Sequence, residues 1–291
     1  MRRRALKTDM PAITLVVCLY NEADLLQRLI ERTQGCYDEL IVVHDGQDTM
    51  GTRAIVEAAG GRFFERPRAF QQEPHWPFAW GEAKHDWILR MDADEAPSFA
   101  LAEWLKNFRV TPETVADVSG YTCVWPLWNG KRQVASHWPG NRIFLLHRQR
   151  VRFIGMAEQV PVPDGRWEKL SLVLEHRPQR LSYGLRYVFT RPQAANWRRV
   201  IAESLLPDTP AHLEQWRWEK RPWPEAWEVV RTRPVRTALI RVLWWFPCSL
   251  IEQWRIEGRP FPMAVLTPLL MQSLICLKYI RLRRQKRRDA D

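Results

Sequence analysis

Asp86-Trp-Ile-Leu-Arg-Met-Asp-Ala-Asp-Glu95 reads as a short buried strand that ends abruptly in Asp92, Asp94 and Glu95. Trp87, Ile88, Leu89 and Met91 give it the length and apolar content of a sheet strand. A strand has no structural use for a carboxylate cluster at its end, but the carboxyl edge of an open α/β sheet is where ligands bind. Asp92 and Asp94 stand one residue apart, so in an extended chain they point the same way. Both can reach one hard, oxygen-seeking cation such as Mg2+ or Mn2+, and a cation there can hold a diphosphate.

Toward the N terminus, residues 13–19 form a continuous apolar run rich in β-branched side chains, as a strand buried on both faces of a parallel sheet requires. Tyr20-Asn21-Glu22 ends it, and Leu25, Leu26, Leu29 and Ile30 then recur at helical spacing before Gly35. A second strand over 39–43 runs into His44-Asp45-Gly46, a helix over 49–59 stops at Gly60-Gly61, and a third strand covers 62–65. That alternation is a βαβαβ unit and predicts an α/β fold with a Rossmann-like, mostly parallel layered sheet. Residues 67–77, with Gln71, Gln72, His75 and Trp76, read as a loop covering the site, leading into a helix over 78–83. Beyond Glu95 an amphipathic helix over 98–108 gives way to short strands at 118–125, 141–146, 151–155 and 170–175. This mixed half suits an acceptor, and 182–205 then reads as helical despite Pro192.

The chain of 291 residues is long enough for one catalytic domain and an appendage, and we divide it into a domain over 10–206, a Pro- and Trp-rich linker over 207–234 and an apolar, basic helical segment over 235–291. The net charge of +11 sits mainly at the ends: residues 1–9 carry +3 and 278–291 carry +5. Basic ends beside apolar segments fit an anionic membrane surface better than a continuous nucleic-acid groove. Residues 261–277 run 17 positions without a formal charge, short of the roughly 20 needed to span a bilayer and interrupted by Pro268, so an in-plane anchor is expected. The five cysteines are scattered, with no CxxC pair, which argues against a disulfide framework or zinc site and for the cytoplasmic face. Sixteen tryptophans, several in close pairs, suit packing, a membrane interface or stacking on sugar rings.

Brought to one sheet edge, these pieces describe a site for a nucleotide-diphosphate donor. Asp45 can accept hydrogen bonds from a base or ribose, while Asp92 and Asp94 hold a cation that neutralises the departing diphosphate. Neither a Gly-x-Gly-x-x-Gly fingerprint nor a Walker loop occurs, which disfavours dinucleotide dehydrogenases and P-loop enzymes. The segments TLVVCLYNEADLL, ELIVVHDGQDTMGT and DWILRMDADE resemble, in order and spacing, the hallmarks of glycosyltransferase family 2, whose members have the GT-A fold. The resemblance implies inverting transfer from a nucleotide-diphosphate sugar with Mg2+ or Mn2+. By position it places Cys18, Tyr20, Asn21 and Glu22 in the nucleotide pocket, Asp45 and Gly46 at the base, and Asp92 and Asp94 at the metal and donor phosphates.

A looser resemblance, to the lipopolysaccharide-core type glucosyltransferases of that family, rests on Arg142-Ile-Phe-Leu, Ala157-Glu158 and Leu174-Glu-His176. With the donor-site constellation, the basic, apolar C-terminus leads us to expect a lipid-linked or cell-envelope glycan as acceptor. Ala157 stands where that subgroup has a histidine. Inversion needs a base for the acceptor hydroxyl, and Glu158 is the candidate, with Asp94 as its catalytic partner at the phosphates. His176 is a candidate metal ligand or phosphate donor, and His137 and Arg142 are acceptor-side candidates. Gln215-Trp-Arg-Trp218 lacks the Gln-x-x-Arg-Trp spacing of processive synthases, so addition of one sugar is preferred. Two other classes remain open: a nucleotidyltransferase, which would want a basic Gly-rich loop where Tyr20-Asn21-Glu22 stands, and a non-catalytic basic protein binding membrane or nucleic acid, which would not need Asp92 and Asp94.

Overall fold

A computed structural model of the chain describes residues 10–110, 117–153, 160–178, 183–206 and 225–290. The first half alternates β1 (Ile13–Leu19), α1 (Ala23–Arg32), β2 (Glu39–Asp45), α2 (Thr52–Ala58), β3 (Arg62–Arg66), α3 (Trp76–Glu82) and β4 (Trp87–Arg90). Every residue of β1 and β2 is buried, as strands covered on both faces must be. β3, β2, β1 and β4 lie side by side, each parallel to its neighbour. β1, β2 and β4 therefore deliver Tyr20, Asp45 and Asp92 to one edge of the sheet, as the repeated βαβ crossover dictates.

The second half contributes β5 (Glu95–Pro97), α4 (Phe99–Arg109), β6 (Val118–Trp128), β7 (Gln133–His147), β8 (Val151–Arg152), β9 (Val162–Pro163) and β10 (Arg166–His176). β7 is antiparallel to both β4 and β6, β6 is parallel to β10, and β10 is antiparallel to β5. The result is one eight-stranded mixed sheet in the order β3-β2-β1-β4-β7-β6-β10-β5, with β8 and β9 as a separate ribbon. α4 begins where Ser98 caps it, its Oγ accepting the Leu101 N–H at 3.2 Å. The helix buries Leu101 and Leu105 against one sheet face, among Leu15, Val17, Leu89 and Phe144. The other face is closed by Trp76, Trp80 and Phe153, the two indoles stacked 6.2 Å apart. Gly120 in β6 is required by close packing: a Cβ there would lie 2.4 Å from the Leu145 carbonyl oxygen.

Several boundaries differ from the sequence reading. β6 and β7 are longer than expected and pair as a bulged hairpin, because register shifts absorb the Pro126 and Pro139 positions that local rules treat as strand breakers. β5 was not foreseen; three residues carry no periodicity, and only pairing with β10 makes them a strand. Pro192 does not interrupt a helix but starts one, separating α5 (Leu185–Thr190) from α6 (Pro192–Ser204) and leaving Arg191 in the joint.

The C-terminal unit comprises α7 (Glu225–Thr232), α8 (Pro234–Ile240), a π-helical turn (Arg241–Trp245), α9 (Phe246–Glu257) and α10 (Pro262–Ala290). Gly258, at φ 70°, closes α9 in the left-handed conformation. α10 continues through Pro268 and is long and apolar enough to cross a membrane by length and composition, yet 44% of its apolar window is buried inside the protein. Ile275, Cys276 and Tyr279 pack on Ile201 and Ala202 of α6 and on Leu205 just beyond it. Glu257 accepts the backbone N–H groups of Ser136, His137 and Trp138, tying α9 to β7. Residues 1–9 and 207–224, which include the basic N-terminal stretch and most of the expected linker, lie outside the described residues.

Candidate active site

The turn after β1 places Asn21 at φ 52°, a left-handed conformation that asparagine tolerates better than most residues. Its N–H donates to His44 Nε2 at 3.1 Å, and its Oδ1 accepts from Thr49 Oγ1 at 3.2 Å. His44 is fully buried, with Nδ1 2.8 Å from the Gly46 carbonyl oxygen. A carbonyl only accepts and an amide N–H only donates, so the ring is held as the neutral Nδ1–H tautomer. The imidazole thereby joins the ends of β1 and β2.

Asp45, at the end of β2, is buried and well supplied with donors. Its Oδ1 accepts from His75 Nε2 at 2.9 Å and from the Ala69 N–H at 2.5 Å, and its Oδ2 accepts from Arg68 at 2.5 Å. Arg68 in turn lies over the Tyr20 ring, 3.4 Å from its centroid. Gly46, at φ 102°, leaves room for this arginine; a Cβ there would sit 3.1 Å from Arg68 Cδ. The carboxylate thus holds a guanidinium and an aromatic ring together at the end of β2. Phe70, at φ 62° and exposed, lies on the loop that carries Arg68 and is, with Asn21, one of two non-glycine residues with positive φ among the described residues.

Below the aspartate pair lies a buried ionic cluster. Asp92 Oδ2 meets Arg142 at 2.7 Å, Arg142 Nε meets Glu95 at 3.1 Å, and Glu95 accepts the Asp92 N–H at 2.8 Å. Arg90, 3% exposed, stacks on Trp76 and donates to the Ile143 carbonyl. Burial, then the neighbouring charge of Arg142, brings the Arg90 guanidinium down to about 9. Burial opposes ionisation of Asp92, but Arg142 and Arg90 outweigh it and hold its carboxyl below the usual carboxylate range. Burial and then the charges of Asp94 and Asp92 push Glu22 up to about 7. His176 stacks on Trp125 and lies 3.4 Å from Asp94 Oδ2; burial lowers its pKa, but the bond to Asp94 and the acidic surroundings raise it overall.

These groups surround a cavity of about 810 Å3. Cys18, Tyr20, Asn21, Glu22, Asp45, Asp92 and Asp94, all expected from the sequence, line it together, and His176 joins them. Gly46 stands just behind, against Arg68. Arg142 is paired with Asp92, and His137 is exposed, its N–H bound by Glu257. Glu158 lies outside the described residues. Arg68 and Phe70 of the covering loop, and Tyr187, Arg191 and Asn196 of the α5–α6 wall, were not foreseen. The Pro192 helix start was the one local signal for that wall.

Among the described residues no group of three or more His, Cys, Asp or Glu forms a ready-made metal cluster. Asp92 Oδ1 is nonetheless buried without a hydrogen-bond partner, beside the Asp94–His176 pair. Two carboxylates and one imidazole are a donor set suited to Mg2+ or Mn2+, so these residues fit the ion the sequence leads one to expect.

The model of Glycosyl transferase family 2 matches residues 14–171, more than half of the chain. The chain belongs to glycosyltransferase family 2. It is a glycosyltransferase, with the large, partly parallel sheet of the GT-A fold. Among solved structures, it is 14% identical to the mannosyltransferase PcManGT from Pyrobaculum calidifontis in complex with GDP-Man and Mn2+, with a TM-score of 0.44 over 93% of this chain and 85% of that one. It is 10% identical to residues 1–349 of TarS from S. aureus, with a TM-score of 0.40 over 94% and 92% of the two chains. Against a longer S. aureus TarS structure the identity is 11% and the TM-score 0.38, over 67% of this glycosyltransferase and 40% of that chain. No curated protein sequence matches it.

Proposed function

We propose that this glycosyltransferase is an inverting, metal-assisted hexosyltransferase that adds one sugar from a nucleotide-diphosphate donor to a lipid-linked or cell-envelope glycan at the cytoplasmic face of a membrane. The observation that carries the reading is the convergence of Tyr20–Glu22, Asp45 with Arg68, and Asp92 with Asp94 on one cavity. The separation of roles follows the chemistry of each group. Tyr20 and Arg68 offer a flat, cationic surface on which a base can stack, and Asp45 fixes that surface. Asp92, oriented by Arg142 and Glu95, and Asp94, beside His176, present oxygens toward the donor diphosphate. A divalent cation held there would supply Lewis-acid stabilisation of the leaving diphosphate. Arg191 lines the same cavity and adds a positive charge to it. Glu158 is assigned to take the proton from the acceptor hydroxyl.

Release of nucleotide from UDP-, GDP- and dTDP-sugars with and without Mn2+ tests this reading. Turnover with one donor class is expected, falling by about a hundredfold or more in Asp94→Asn, the scale of losing one charge-stabilising group. Undiminished turnover in that variant would overturn the phosphate role of Asp94. Glu158→Gln is expected to abolish transfer to acceptor while leaving donor binding intact, measured as donor-dependent thermal stabilisation.

A further inference from the structure

We propose that the outward face of α8, the π-helical turn and α9 is the surface by which the chain docks, in plane, on an anionic lipid bilayer; this deepens the membrane reading above and rests on it. The three elements form one continuous helical path with two unlike faces. Inward, Phe246 and Leu250 pack with Trp138, Ala264 and Val265, and Gln253 is buried with its Oε1 accepting the Phe261 N–H. Outward, Leu239, Leu243, Ile251 and Trp254 recur at spacings that bring them to one side, and each is at least half exposed. Leu243 is 71% exposed, Trp244 66% and Trp254 60%. From Leu239 to Ile256 the charged residues are only Arg241, Glu252 and Arg255. Packing against the protein does not require this apolar surface, and contiguous exposed apolar surface of this kind marks an interaction site.

The charge around the face selects the occupant. Residues 225–290 carry thirteen basic against five acidic side chains, a net of +8, and seven of the basic ones crowd into the last turns of α10 between Lys278 and Arg288. Indoles beside aliphatic side chains, on a helical unit of strong net positive charge, match the boundary between acyl chains and anionic headgroups. The structure also separates the docking face from the segment that composition alone points to. Ala264, Val265, Met271, Ile275 and Cys276 of α10 are turned into the protein. The surface left for lipid is therefore α8–α9, with α10 supplying charge and a packed support.

The full-length protein should float with phosphatidylcholine vesicles containing about one-third phosphatidylglycerol and float poorly with phosphatidylcholine alone, the contrast expected when basic residues assist apolar insertion. Replacing Leu243, Trp244 and Trp254 together with serine should lower the partition coefficient by on the order of tenfold per side chain, while melting temperature stays unchanged because all three are exposed. Cys248, the one exposed cysteine among the five, lies within this path and gives a direct reporter. An environment-sensitive dye on Cys248 should shift to the blue on the anionic vesicles. Unchanged flotation of the triple variant overturns the proposal, as does a dye that stays in water while the protein floats. A dimer that the same substitutions dissolve, in protein that does not bind vesicles, also overturns it and assigns the face to self-association. Nucleotide release from a donor, assayed in parallel without vesicles, reports on the catalytic reading separately, since none of the three residues touches the cavity.

Discussion

Arg142→Met removes a cation that touches both Asp92, at the cavity, and Glu95 behind it. Its nitrogens lie 2.7 Å from Asp92 and 3.1 Å from Glu95, and the Glu95 side chain has no exposure at all. At an effective dielectric of about 20, each contact has a Coulomb energy on the order of 5 kcal/mol before desolvation. Removing one partner of such a buried set leaves uncompensated charge and costs about 3–5 kcal/mol net. Arg90 remains nearby and Asp92 is partly open to the cavity, so the lower part of that range is the expectation. Urea unfolding should therefore give a loss near 3 kcal/mol, and a melting temperature lower by roughly 6–12 °C for a domain of this size. Burial already pushes the Glu95 carboxyl up to about 7 despite Arg142, so without the arginine Glu95 takes up a proton and the stranded charge is that of Asp92. The double variant Arg142→Met/Asp92→Asn should therefore recover a large part of that loss. A loss below about 1 kcal/mol, or a double variant no more stable than the single one, would refute the view that Arg142 is the counter-charge holding Asp92 in place.

Asp45→Asn sets an amide N–H2 or a weaker acceptor against Arg68 and should raise the donor KM about tenfold with a smaller change in kcat, since the loss falls on ground-state binding. Gly120→Ala drives a Cβ into the Leu145 carbonyl oxygen and the Trp167 ring, and should cost about 1–3 kcal/mol or more in urea unfolding. Asp48 precedes α2 and accepts backbone N–H groups from Met50 and Arg53; these bonds outweigh a burial penalty and bring its carboxyl down to about 2. A folded-state value below the unfolded one of about 3.9 stabilises above that pH, so Asp48→Ala should cost about 1 kcal/mol at pH 7. The gap between parent and variant should close as pH falls from about 4 to about 2, and a gap that persists to pH 2 would assign it to packing instead.

The parallel half of the sheet was legible because its signals are local. The buried run of β1, the two βα turns and the Ser98 cap of α4 each follow from neighbouring residues. The meeting of Tyr20, Asp45 and Asp92 at one cavity was legible for the same reason: they sit at strand ends, and parallel strands share an edge. The rest of the site depends on contacts between residues far apart in sequence. Arg68 lies over Tyr20 only because Asp45 grips it, and Arg142, whose sequence context suggested an acceptor contact, reaches Asp92 across the β4–β7 pairing. The α5–α6 wall is set by α6 packing on α10, some seventy residues further along, which no window of sequence reports. The same holds for the C-terminal helices: α10 has the composition of a membrane segment, while its neighbours α8 and α9 carry the exposed face.

β7 is gripped at two points by side chains from different parts of the molecule. Glu257 of α9 holds the N–H groups of Ser136 to Trp138, and Arg142, four residues beyond Trp138, holds Asp92. At about 3.3 Å per residue the two grips are roughly 13 Å apart along the strand, the first of them at the bulge between Ala135 and Pro139. The strand is a strut between the helical base of the molecule and its aspartates. The helical base of the molecule and the side chain that aims Asp92 are thus carried by one strand.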